Sequence, residues 1–202
     1  MTEVGFYLNQ VGGSSNSLEK YLSSLTSIPI LSADEEAALF ESFQQKEDIS
    51  SARTLVLSHL RFVAYIARSY QGYGLPFQDI IQEGNVGLMK AVKKFDLSKG
   101  VRLISFAVHW IRAEIHEFIL KNWKIVKVAT TKAQRKLFFN LRKQKKTRTW
   151  FTSEEAALLS KDLGVKKSEV LEMEARLGMF DEEIDKPLVN GEASSYVGEK
   201  LS

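Results

Sequence analysis

Apolar residues recur at helical spacing through most of the chain, and no segment is strand-rich. The clearest case is residues 52–70, where Leu55, Leu60, Val63, Ile66 and Ala67 fall near one face of a 3.6-residue turn. Gly72 and Gly74 offer C-terminal stops there, and Pro76 forbids continuation. Residues 77–95 read as a second amphipathic helix, with Ile80, Ile81, Val86, Leu88, Met89 and Val92 expected to point inward. A turn at residues 96–100 then leads into the aromatic-rich stretch 100–123. This reads as one long helix carrying Phe106, His109, Trp110, His116, Phe118 and Trp123. Upstream, a short helix is predicted over residues 18–26, before Pro29. Ser32-Ala-Asp-Glu35 has the form of a capping box, in which hydroxyl and carboxylate satisfy orphan amides at a helix start, and its helix should run to about Lys46.

Downstream of Trp123 the pattern changes. The β-branched residues 125–128 are expected to be extended, and Thr130 or Thr131 to cap a helix reaching about Lys145. Thr152-Ser-Glu-Glu155 is a second capping box, with Gly164 ending its helix. Ser168 starts another helix that ends near Leu177. Helix, Leu-Gly-Val, helix is the spacing of a helix-turn-helix-like pair, a signal that many small helical domains share. Residues 1–17 and the acidic stretch 181–202 carry no periodic apolar pattern and are expected to be flexible. The predicted fold class is all-α, two small helical domains with a boundary near residues 124–131.

Charge sharpens this picture. The net formal charge of +3 conceals a basic block between two acidic flanks. Residues 1–50 hold two basic and eight acidic groups, and residues 151–202 hold six and twelve. From Lys121 to Arg148 there are eleven Lys/Arg and no Asp/Glu. A block of that kind is hard to explain by solubility alone and points to a polyanion-binding face. Aromatic residues beside it can stack on unpaired bases while the cations hold phosphates.

Other classes fit poorly. The chain has no cysteine, so disulfides and thiolate metal sites are excluded. No apolar run approaches the ~20 residues a spanning helix needs. The start lacks a basic region followed by a continuous apolar core, so a cytoplasmic protein is expected. The three histidines, at 59, 109 and 116, form no HExxH and no zinc-deaminase pattern. Gly72-Tyr-Gly74 and Gly84-Asn-Val-Gly87 are neither Walker nor dinucleotide loops. Glu114 and Glu117 are not paired as acid and base. No cofactor and no enzymatic activity are expected. A stand-alone helix-turn-helix DNA binder over residues 152–177 is a rival reading, disfavoured by its acidic surroundings.

The run VLSHLRFVAYIARSYQGYGLPFQDIIQEGNVGLMKAVKKFD, from Val56 to Asp96, resembles regions 2.1 and 2.2 of bacterial sigma factors. GVRLISFAVHWIRAEIHEFILKNWKIVKVA, from Gly100, is similar to regions 2.3 and 2.4. Gln134-Arg-Lys-Leu-Phe-Phe-Asn-Leu-Arg142 resembles the box that marks the heat-shock branch, sigma-32. The resemblance runs from about Leu18 to Leu177. It implies a domain of regions 1.2 to 2.4 over residues 18–127 and a three-helix region 3 domain over residues 128–180. Nothing in the chain resembles region 4, which reads the −35 element, so the chain is expected to be either a fragment or a natural truncation. A shortened sigma that occupies polymerase without productive initiation is the rival within this family.

The resemblance also implies roles. Asp79, Gln82, Glu83 and Asn85 match the positions that dock on the coiled coil of the β′ subunit of core RNA polymerase, and would form a polar face beside buried Ile80, Ile81 and Leu88. Phe106, His109 and Trp110 match those that stack on non-template bases when the −10 element opens. Spacing alone leaves Phe106 and Trp110 equally suited to packing inward. Housekeeping members usually carry Trp at the position of His109 and an aromatic residue at that of Val101. The departures imply a different −10 sequence. Arg112, His116, Lys121 and Lys124 fall where the family contacts promoter DNA, and Lys127, Lys132, Arg135 and Lys136 would meet phosphates or the extended −10 segment. Leu137, Phe138 and Leu141 are expected in a core. Control by chaperone binding and by proteolysis is a further implication.

Overall fold

The computed structural model describes residues 15–144 and 152–178. Of the expected flexible start (residues 1–17), residues 1–14 lie outside them, as does the acidic tail (181–202); residues 15–17 are instead helical, the first turn of the helix that begins at Ser15. Among the described residues the chain is all-α, with eight α-helices and no strand. It divides into two compact units, Met1–Trp123 and Lys124–Ser202.

The first unit holds α1 (Ser15–Ser27), α2 (Ala33–Lys46), α3 (Ile49–Arg68), α4 (Phe77–Lys94) and α5 (Leu103–Asn122). Each start has a local cause. Ser32 Oγ accepts the Glu35 amide at 3.2 Å while Glu35 returns a carboxylate oxygen to the Ser32 amide at 2.8 Å, so the expected capping box opens α2. Asp48 caps α3 through the amides of Ser50 and Ser51. Bonds from the Ser51 and Ser50 hydroxyls and amides hold its carboxyl at a pKa of about 2. The carbonyls left open at the end of α1 are collected by Arg61, whose guanidinium donates to Leu25, Thr26 and Ile28.

The core is the meeting of α3, α4 and α5. Leu103, Ala107, Ile111, Ile115 and Ile119 recur every fourth residue, and all are buried along one stripe of α5. Facing them are Leu55, Val63, Ile80, Ile81 and Leu88. α4 and α5 pack most closely, and Gly87 permits it, while Gly84 makes room for Val63 of α3. A Cβ at Gly87 would stand 2.7 Å from both Ile111 Cα and the Trp110 carbonyl oxygen, and one at Gly84 would stand 2.5 Å from Val63 Cγ1. The two backbones therefore touch with no side chain between them.

Met89 corrects the sequence reading. It was expected inward and is 45% exposed, because the buried stripe of α4 follows Gly84, Gly87, Leu88 and Ala91. An apolar letter next to that stripe is rotated out of it.

The second unit holds α6 (Lys132–Gln144), α7 (Ser153–Leu163) and α8 (Lys167–Gly178). The Thr131 hydroxyl accepts the Gln134 amide and Gln134 Oε1 accepts the Thr131 amide, so Thr131 rather than Thr130 is the cap. The Thr152 box is present as expected, and Gly164 (φ 64°) ends α7 in the left-handed region. Leu137, Phe138 and Leu141 are fully buried with Ala156, Leu159, Val170 and Met173. Residues 125–128 are not a strand: an isolated extended segment has no ladder to join. Val128 is buried, while Ile125 and Val126 are exposed.

Candidate nucleic-acid interface

The aromatic residues of α5 form the outer end of a stack that begins in the core. Phe40 is fully buried and lies 4.6 Å, centroid to centroid, from buried Phe95. Phe95 is 5.8 Å from Phe106, and Phe106 is 6.1 Å from Trp110. Phe106 and Trp110 are half-buried and His109 is exposed. Phe106 and Trp110 pack against neighbouring rings with one part and reach the surface with the other.

Lys94, at the end of α4, places its ammonium 4.4 Å from the Trp110 ring centroid. A cation at that distance is held by the ring quadrupole, and it puts a positive charge beside a stacking surface. No local sequence signal marks this pair, because the two residues meet only when α4 and α5 pack. The same seam carries a Lys90–Glu114 ion pair at 2.7 Å.

His116 sits differently from His109, although seven residues separate them on one helix. Its Nε2 is 2.9 Å from the Tyr70 hydroxyl and its ring meets the Tyr70 ring edge-on at 5.3 Å. Burial, and then the Arg112 charge, lower its pKa from 6.5 to about 4. Near neutral pH it is therefore an uncharged imidazole. Burial also raises the Tyr70 pKa, with Arg112 opposing.

The other cations separate into two groups. Arg112, Lys121, Lys127, Lys132 and Arg135 are exposed. Lys124 is half-buried and donates to the Arg176 carbonyl at 3.3 Å, and Lys136 donates to the Leu163 carbonyl at 2.9 Å. Both amines thus satisfy carbonyls at helix C-termini within the second unit, a structural use that the sequence does not show.

On α4, Asp79 and Gln82 are exposed, but Glu83 and Asn85 are half-buried, so the expected polar face is narrower than four residues. Asn85 donates to Gln82 at 3.3 Å, while its Oδ1 is buried without a hydrogen bond of good geometry, as is the Tyr21 hydroxyl of α1. The Asn85 side chain is close enough to oppose the rise that burial gives the Tyr21 pKa. A cavity of about 220 Å³ opens here, lined by Ser17, Leu18 and Tyr21 of α1 and by Gln78, Asp79, Ile81 and Gln82 of α4. Exposed Met89 lies two turns beyond Gln82 on the same helical face.

Residues 55–125 match the model of sigma-70 region 2, which takes in α3 from Leu55 onward and all of α4 and α5. The RNA polymerase sigma factor RpoH of Caulobacter vibrioides (strain NA1000 / CB15N) is 47% identical over 176 residues, 85% of this chain and 60% of the relative. Through region 2 the chain is similar to the sigma-70 family, and over most of its length to the sigma factor RpoH. It spans about 60% of the length of the curated relative it matches. Phe95, Phe106, Trp110 and the α4 face lie in the matched region, Phe40 precedes it, and most of the cationic block follows it. Among the described residues no helix is long and apolar enough to cross a membrane, and no group of acidic, histidine or cysteine residues is placed to hold a metal.

Proposed function

We propose that this chain is a heat-shock-type initiation factor of the cytoplasm that docks on core RNA polymerase, recognises the −10 element and holds the opened non-template strand. It makes and breaks no covalent bond; synthesis belongs to the polymerase. The observation that carries this reading is the Phe40–Phe95–Phe106–Trp110 stack, which emerges at the surface under the Lys94 ammonium. A stacking surface built on a rigid core and flanked by cations suits an unpaired base with its phosphate. Stacking is worth about 1–3 kcal/mol per base, enough to offset unpairing when several contacts combine.

Asp79 and Gln82, with Met89 as an apolar contact, form the proposed face for the β′ coiled coil. Glu83 and Asn85 support it from their half-buried positions, an arrangement that suits a helix-to-helix interface with a polar rim. Arg112, Lys121, Lys127, Lys132 and Arg135 are the proposed phosphate contacts. Lys124 and Lys136 contribute positive potential while bonded to carbonyls, and His116 contributes a neutral hydrogen bond. Chaperones and a protease are the proposed regulators, as the sigma-32 branch implies.

Docking is tested by co-elution of the chain with bacterial core polymerase at moderate salt, with Gln82→Ala/Glu83→Ala as the control. Stable association, weakened by the double change, is the expected result. No association of the unaltered chain would contradict the docking role.

A further inference from the structure

The helix that carries the proposed strand-reading residues has no cap of its own. Arg102 precedes Leu103 in extended conformation and gives α5 no side-chain cap. Such a start leaves several amides without partners at the positive end of a helix dipole. The missing group comes from α2, 67 residues away in the chain. Glu36 is 3% exposed, and its Oε1 accepts the Leu103 amide at 2.8 Å. Its Oε2 accepts Arg102 Nε at 3.3 Å and Nη2 at 3.2 Å, and lies 3.4 Å from His59 Nε2. Arg102 also donates to the Leu31 carbonyl, just before α2, and His59 Nδ1 is 2.8 Å from the Leu55 carbonyl oxygen. One buried carboxylate thereby joins α2, α3 and the first residue of α5.

We infer that Glu36 is a positioning residue for strand capture: through the Leu103 amide and Arg102 it fixes the first turns of α5, and with them Phe106, His109 and Trp110. Phe106 lies one turn after Leu103, and Trp110 packs on Phe106, so fraying at the start of α5 reaches the stacking surface first. The polymerase-docking residues lie on α4 and do not depend on this cap. A stacking surface is useful in proportion to how firmly it is held before the base arrives. The inference rests on the proposed base-stacking role of α5.

The test uses the full chain bound to core polymerase and a fluorescent single-stranded oligonucleotide carrying a heat-shock −10 sequence. Glu36→Ala, Glu36→Gln, Arg102→Gln and, as the positive control, Trp110→Ala are compared for polymerase affinity and for oligonucleotide capture. Polymerase affinity should stay within about twofold of the unaltered chain in every variant. Capture should fall about tenfold in Glu36→Ala. In Glu36→Gln the fall should be smaller, about threefold, because Gln still offers an oxygen to the Leu103 amide. Arg102→Gln, which loses the guanidinium but leaves the carboxylate on the Leu103 amide, should resemble Glu36→Gln. Should Glu36→Ala fail to fold, the Gln variants carry the test. Unchanged capture in Glu36→Gln and Arg102→Gln while Trp110→Ala loses it would overturn the inference. So would capture and polymerase affinity falling together, since that marks a purely structural role. Unchanged capture in Trp110→Ala itself would overturn the base-stacking reading on which the inference stands.

Discussion

Trp110 does two things at once. One part of the ring belongs to the stack that starts at Phe40, and another part reaches the surface beside Lys94. Replacing it with Ala should therefore weaken strand capture by about 1–3 kcal/mol, roughly tenfold, while the fully buried stripe of α5 keeps the fold. Oligonucleotide titration of the polymerase-bound chain, with circular dichroism as a folding control, measures both. His116 makes a different prediction. Its pKa is about 4 in the folded chain against 6.5 for the free side chain, so between those values the unfolded chain binds a proton that the folded chain refuses. The stability due to neutral His116 is complete above pH 6.5 and is lost as pH falls toward 4. After allowance for solvent screening the loss is about 1–2 kcal/mol. Thermal melts at pH 5 and pH 7 should show a smaller acid penalty in His116→Gln than in the unaltered chain, and an equal penalty would contradict the assignment. Sequence spacing treats His109 and His116 as equivalent. Their difference comes from Tyr70, on a segment 46 residues away, which packs against only one of them.

Helix starts were the most legible elements, because a cap and its reciprocal partner lie within four residues of each other. Ser32–Glu35 and Thr152–Glu155 are recognised from sequence and are present in the structure. Thr131 against Thr130 is decided by the Gln134 backbone amide, which donates to the Thr131 hydroxyl, while the Gln134 side chain accepts from both. Thr131→Ala should cost about 1 kcal/mol, read as a lower unfolding midpoint. Helix faces were less legible. The closest approach of α4 to α5 is at Gly87, which carries no apolar signal, so the inward assignment of Met89 followed hydrophobicity where the packing follows small size. Gly87→Ala should destabilise by about 1–3 kcal/mol or more, because its Cβ would meet the backbone of α5, which cannot move aside as a side chain can. An unfolding midpoint equal to that of the unaltered chain would show that the two helices do not approach this closely. Residues 125–128, expected to be extended, run largely through bends, because β propensity describes a residue on a sheet and no sheet exists among the described residues.

Over the whole molecule, charge was the most legible property and its division of labour the least. The basic block is visible in a simple count. That Lys124 and Lys136 hold helix-terminal carbonyls, and that Glu36 completes the start of α5, depends on contacts between residues 27 to 67 positions apart. If four to six of the exposed cations meet phosphates, the logarithm of promoter affinity should fall against the logarithm of salt with a slope of roughly −3 to −5. A slope near zero would remove the cationic block from DNA binding. The central claim is that polymerase carrying this chain opens a −10 element and keeps it open. Its most direct measurement is permanganate reactivity of −10 thymines on a heat-shock-type promoter, with core polymerase and the chain together. The account predicts reactive thymines with the unaltered chain, reactivity near background with core polymerase alone, and a marked loss with Trp110→Ala. Unreactive thymines in a complex that contains core polymerase, chain and DNA would contradict it.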